Sequence, residues 1–147
     1  MAVVIRPFRD IEPEQLAALL ADSERAGQRF VRRLADEWAS GANRFDRPGE
    51  ILFAAWRERE LVGVGGLNVD PYAVTPRAGR VRHVYVLSTC RGLGIGARLV
   101  VEIIDAARGR FDSLRLRTFN PDAARLYERL GFSRRNDVAE CTHVLEM

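Results

Sequence analysis

The stretch Val84-Tyr85-Val86-Leu87-Ser88-Thr89-Cys90-Arg91-Gly92-Leu93-Gly94-Ile95-Gly96-Ala97 decides the fold. Its first part is β-branched and apolar and predicts the end of a strand over residues 80–87. Its second part alternates glycine with larger residues and opens a helix in which Ile95, Leu99, Ile103 and Ala106 line one face, closed by Gly109. Where a strand turns through glycines into a helix, consecutive N–H groups face one point and the helix dipole adds positive charge there. That is an anion site, and Arg91 at its edge makes a diphosphate the ligand it suits best. The simpler alternative is that the glycines only permit a turn. Gly92, Gly94 and Ala97 also fit the G-x-G-x-x-G/A fingerprint of dinucleotide folds. That fold wants an acid at the end of the next strand, however, and the strand over residues 114–118 runs into Phe119 and Asn120 instead.

Working outward, Asn120-Pro121-Asp122 is a strong helix start: a capping amide, a proline for the first position and an acid for the dipole. Ala123, Leu126, Tyr127 and Leu130 give that helix its apolar face, and Gly131 ends it as a left-handed cap. Asn120 and Tyr127 stand two turns apart on one side, so both can meet a ligand along that edge. If they do not, Asn120 only caps and Tyr127 only packs. Upstream, residues 3–8 read as a strand. Leu16, Leu19 and Leu20 mark a first helix, and Phe30, Val31, Leu34 and Trp38 a second that ends near Gly41. Residues 51–56 predict a central strand covered on both faces. After a polar turn at residues 58–60, residues 61–67 return as its hairpin partner, and Gly63, Gly65 and Gly66 within it imply close approach of another element. A last strand falls within residues 139–146. The order is strand, two helices, three strands, helix, strand, helix, strand.

At 147 residues the chain suits one domain around one core. An apolar fraction of 47% with 29% charged residues is that of a globular protein, and no apolar run approaches the roughly 20 residues of a membrane span. The N-terminal segment lacks a signal-peptide pattern, so the expected location is the cytosol. Cys90 and Cys141 are too few and too far apart for a disulfide framework or a zinc site, and no metal is expected. All 23 basic residues are arginine, which base composition of the genome explains and which also suits a phosphate-rich ligand. These arginines alternate with acids rather than forming a stripe with aromatics, which argues against nucleic acid.

Taken together and in this order, Val84-Tyr85-Val86, the turn from Arg91 to Gly96, then Asn120, Ala124, Leu126-Tyr127 and Gly131-Phe132 strongly resemble the GNAT superfamily of N-acetyltransferases. The likeness covers residues 51–132, more than half of the chain. It implies an α/β acyl-CoA N-acyltransferase fold: one domain over residues 1–147 with a mixed, mostly antiparallel sheet, helices on both faces, and a cleft between residues 80–87 and 114–118. It also implies acetyl-CoA as cosubstrate. By that resemblance, backbone groups at Val84 and Val86 beside a bulge would pair with the pantetheine arm, and an amide there would steady the thioester oxygen. The amides from Arg91 through Gly92, Gly94 and Gly96 to Ala97 would bind the pyrophosphate. Asn120 would hydrogen-bond the pantetheine or its nearby phosphate, and Tyr127 would act as general acid beside the sulfur.

Transfer to an amine also needs that amine neutral. An alkyl amine of pKa about 10.4 is on the order of one part in a thousand neutral at pH 7. Members of the superfamily often carry a glutamate where this chain has Arg80 or Arg82, which leaves the base unidentified. His83 is the nearest group of suitable ordinary pKa, though one place off, so a base acting through water, or none, is preferred. The two arginines suggest an acceptor bearing a carboxylate or phosphate. Cys90 lacks a paired histidine and is not expected to be a nucleophile, and His143 is read as a core or edge residue. The predicted activity is acetylation of a primary amine on a small molecule or peptide. Alternatives are a non-catalytic acyl-CoA sensor and, behind it, a dinucleotide enzyme. The acceptor and the oligomeric state are left open, a homodimer included.

Overall fold

The structure is a computed structural model and describes residues 2–147. Its elements are β1 (Val4–Pro7), α1 (Ala17–Arg25), α2 (Phe30–Ser40), β2 (Ile51–Arg57), β3 (Glu60–Val69), β4 (Ala78–Val86), α3 (Ile95–Ala107), β5 (Ser113–Leu116), α4 (Pro121–Arg129), β6 (Ser133–Arg134) and β7 (His143–Glu146). A turn of 3-10 helix at Pro13–Leu16 leads into α1. The strands form one seven-stranded sheet in the order β1-β2-β3-β4-β5-β7-β6. Every pairing is antiparallel except that of β4 with β5. This is the mixed, mostly antiparallel α/β architecture expected. It excludes a dinucleotide fold, whose sheet is mostly parallel.

Helices cover both faces. On one, α3 lays its buried Ile95, Leu99 and Ile103 over β2, β3 and β4. The glycines of β3 make room: a Cβ at Gly65 would lie 3.2 Å from Ile103 Cδ1, and one at Gly63 3.2 Å from Leu99 Cδ1. On the other, a Cβ at Gly66 would fall 2.5 Å from the Phe45 ring, so that glycine is needed for the loop after α2 to pack on the sheet. There α1 and α2 bury Leu19, Val31 and Leu34 against the same core.

Two expectations need correction. The strand at residues 51–57 is not central but second from the edge, since β1 turns back and pairs outside it. Its apolar run reflects burial of successive residues on both faces, Leu52 to Ala55 all being buried, which β2 shares with the middle of the sheet. The strand β6 was not anticipated, because two residues carry no periodicity. By contrast, Gly41 ends α2 in the left-handed conformation at φ 81°, and Gly131 follows α4 at φ 103°.

Candidate active site

Two irregularities in β4 shape the candidate site. In the pairing with β3, Tyr85 lies opposite Val64 but Arg82 lies opposite Gly66, so His83 and Val84 together face Gly65. This is a bulge, and His83 within it takes a left-handed φ of 60°. For a histidine that conformation is unfavourable, and strain of this kind collects at functional positions. On the opposite edge, β4 pairs with β5 only through Ala78, Gly79 and Arg80. Beyond Arg80 the two strands part, and Val84 to Val86 have no β5 partner. A wedge therefore opens at the middle of the sheet, with Val84 and Val86 on the α3 face, since their Cγ2 atoms approach Gly65 and Gly63 there.

At the mouth of the wedge the chain turns through Ser88–Cys90 into α3. Gly92 and Gly94 hold φ of 79° and 78°, and a Cβ on either would meet nothing within 4 Å. Space does not demand these glycines; the backbone conformation does. Gly94 is the N-cap of α3 and supplies no side-chain cap, so the first N–H groups of the helix, at Ile95, Gly96 and Ala97, lack intrahelical partners. The donors and the dipole suit an anion. Arg91 turns back, its Nε donating to Val86 O at 3.3 Å and its guanidinium stacking 5.3 Å from the Tyr85 ring. It thereby ties the turn to the end of β4.

The start of α4 closes the site from the β5 side. Leu126 Cδ2 would lie 3.6 Å from a Cβ at Gly96, so α4 runs beside the glycine turn. Asn120 Oδ1 accepts from the N–H groups of Asp122 and Ala123 at 2.9 and 3.2 Å, which is the capping role; its Nδ2 remains available. Tyr127 is buried and edge-on to Phe132 at 5.5 Å, and burial pushes its phenol well above the ordinary 10. Ala124 is buried alongside it, and Ala123 and Leu130 pack partly buried against the core.

The residues flanking the bulge carry charge. Arg80, Arg82, His83 and Tyr85 point to the α1–α2 face, opposite Val84 and Val86. His83 is buried, and its Nε2, 3.9 Å from Glu37 Oε1, has no hydrogen-bond partner among the described residues. Burial, then the charges of Arg82 and Arg33, drive its pKa down to about 3. It is a neutral imidazole of very low basicity, packed edge-on to Phe45 at 6.1 Å, and unsuited to deprotonating an amine. Cys90 is fully buried, and His143 is a core histidine bonded to Glu128 Oε2 at 2.8 Å and Thr142 Oγ1 at 2.9 Å. Among the described residues no cluster of His, Cys, Asp and Glu could hold a metal ion.

Residues 13–132 match the Acetyltransferase (GNAT) family. The chain belongs to the GNAT family and is an N-acetyltransferase. This GNAT protein is similar to the N-alpha-acetyltransferase RimI of Mycobacterium tuberculosis, with 33% identity over 132 residues, covering 85% of this chain and 82% of that one. A crystal structure from Exiguobacterium sp. 255-15 superposes with TM-score 0.87 at 31% identity, covering 99% of this chain and 94% of that chain. The ribosomal-protein-alanine N-acetyltransferase of Brucella melitensis shares the fold, with TM-score 0.68 at 23% identity over 97% and 96% of the two chains.

One part of the candidate site escaped the sequence reading. Asp22 on α1 is buried and accepts from Tyr85 Oη at 2.7 Å, Ser88 Oγ at 2.6 Å and Ser88 N at 3.1 Å. Burial alone would raise its pKa, but the bonds from Ser88 and Tyr85 outweigh that and hold it below the ordinary 3.8. Desolvation and the Asp22 carboxylate push the Tyr85 phenol up to about 12. The carboxylate pins the end of β4 and the first residue of the turn that carries the glycines. The available signal was an acid on the inward face of an amphipathic helix, next to the buried Ser23.

Proposed function

We propose that this protein transfers an acetyl group from acetyl-CoA directly to a primary amine of a small molecule or a peptide, in the cytoplasm, as one N-acetyltransferase domain. The observation that carries this reading is the wedge between β4 and β5 opening beside an uncapped helix start. A long ligand with a diphosphate at one end and a thioester at the other fits that arrangement. The N–H groups from Arg91 to Ala97 would take the diphosphate. Backbone groups of Val84 and Val86, freed from a β5 partner, would pair with the amides of the pantetheine arm, and Asn120 Nδ2 would donate to the same arm. An N–H beside the bulge would donate to the thioester oxygen as negative charge develops on it.

In the reaction the amine nitrogen attacks the carbonyl carbon, the C–N bond forms and the C–S bond breaks. The sulfur leaves with the electron pair, and the surplus proton on nitrogen passes to water. Tyr127 keeps its proton at any working pH and would donate a hydrogen bond to the departing sulfur. Because its phenol is less acidic than a thiol, its main contribution is to stabilise the thiolate inside a dry site. Likeness to an N-alpha-acetyltransferase at 33% identity supports an amine acceptor. The test is acetyl-CoA consumption read as free thiol. Wild-type protein turns over, while Tyr127→Phe loses about 100-fold or more in kcat and is still thermally stabilised by coenzyme A. Stabilisation without turnover over a broad amine panel would instead mark a sensor of acyl-CoA.

A further inference from the structure

The α1–α2 face of the wedge holds more positive charge than the protein neutralises. Arg80 is buried, its side chain 9% exposed; its Nη2 donates to Glu140 O at 2.8 Å, while Nη1 has no hydrogen-bond partner among the described residues. Asp70, wholly buried, lies 3.6 Å from Arg80 Nη1 and 3.8 Å from Arg115 Nη1, too far for a hydrogen bond to either, and its Oδ2 is also unpartnered. Arg115 stands directly across from Arg80 in the parallel pairing. The Arg82 side chain makes no hydrogen bond among the described residues, and its ion pair with Glu37 Oε1 is a loose 3.7 Å. Arg33 shares that carboxylate at 3.4 Å. Four guanidinium groups thus face two carboxylates, an excess of two positive charges, and the adjoining Arg117 and Glu140 pair with each other. Burying guanidinium groups without full hydrogen bonding is costly. Consistently, burial, and beyond the opposing Glu37 the charges of Arg33 and Arg80, lower the pKa of Arg82.

From this geometry we infer that the acceptor is a small amine carrying a carboxylate or phosphate within a few bonds of its nitrogen, held by Arg82 and Arg115 over the buried Arg80. The inference rests on the proposed reaction, which puts the thioester beside Val84. Arg82 precedes Val84 by two residues, with only the bulged His83 between them, so the anion it grips lies close to the reacting carbon. Arg82 and Arg115 are reachable, their side chains 19% and 23% exposed. A bidentate oxyanion would supply the acceptors these guanidinium groups lack. Tyr72, half exposed and stacked under Arg80 at 4.8 Å, forms the rim.

The test is steady-state acetylation by the full chain of matched amines: glycine against glycinamide, phosphoethanolamine against ethanolamine, and a neutral N-terminal alanine peptide amide. Each kcat/KM is expressed per neutral amine. The acidic member of a pair is expected to exceed its neutral partner by roughly tenfold or more, the worth of one charge-assisted contact. The two pairs tell a carboxylate from a phosphate. In Arg82→Gln and Arg115→Gln the ratio within the preferred pair should fall toward one, mainly through KM, and Arg82→Lys should restore part of it. Equal rates within both pairs, or preference for the neutral peptide or a polyamine, overturn the inference, and the wild-type comparison decides this even if a variant fails to fold. If those same neutral amines are acetylated, the proposed reaction stands and the anionic acceptor alone falls. Absence of both turnover and stabilisation by coenzyme A overturns both.

Discussion

His83 shows what a single position in this protein balances. Within the bulge it holds a left-handed conformation, and its imidazole lies under α2 beside Glu37. Its pKa of about 3 against an ordinary 6.5 means that between those pH values the unfolded chain binds more protons than the native one. Stability therefore falls as pH drops from about 6.5 toward 3, by up to about 1.4 kcal/mol per pH unit. Asp22 acts in the same direction lower down, its contribution present above the unfolded value of 3.8 and lost as pH falls through its depressed native value. Thermal melts between pH 7 and 4 should show this slope. His83→Asn, which tolerates the backbone conformation and does not titrate, should flatten it, and an unchanged slope would assign the effect to other groups. At this scale the sequence was only partly legible. The glycines, Asn120 and Tyr127 stood out because their local pattern is informative. The low basicity of His83 and the Asp22–Tyr85 bond, spanning 63 positions, arise from tertiary neighbours that no window along the chain contains.

At the scale of elements, glycines in β3 and glycines in the turn before α3 do different work, and substitution separates them. Gly66→Ala would press a methyl to 2.5 Å from the Phe45 ring. We expect a loss of about 1 to 3 kcal/mol in denaturant unfolding, with coenzyme A still giving its thermal shift to the folded fraction. Gly94→Ala meets no atom within 4 Å but sits at φ 78°. It should cost about 1 to 2 kcal/mol from backbone strain and abolish most of the coenzyme A shift, because strain relief would rotate the first N–H groups of α3. Equal effects on ligand binding would mean that the turn has no special role. Element types and order were readable from periodicity, with boundaries displaced by a few residues. The place of β2 next to the edge was not, since an apolar run reports coverage of faces rather than rank in a sheet. The bulge was foreseen only through the family resemblance: nothing in Arg82-His83-Val84 marks the extra residue, which exists because β3 offers Gly65 opposite it.

Across the whole molecule, the candidate site follows from a sheet that fails to close. The strands β4 and β5 meet over three residue pairs and then diverge. α3 and the start of α4 frame one opening of the wedge, and the arginine-rich surface under α2 frames the other. A cosubstrate entering by the first and an amine by the second would meet at the bulge. That two-sided plan is the central claim, and a crystal structure of the protein with coenzyme A tests it most directly. The account predicts the diphosphate within hydrogen-bond distance of N–H groups between Gly92 and Ala97, and the pantetheine arm running between β4 and β5 toward Tyr127. Coenzyme A bound elsewhere, or its diphosphate away from the start of α3, would contradict it.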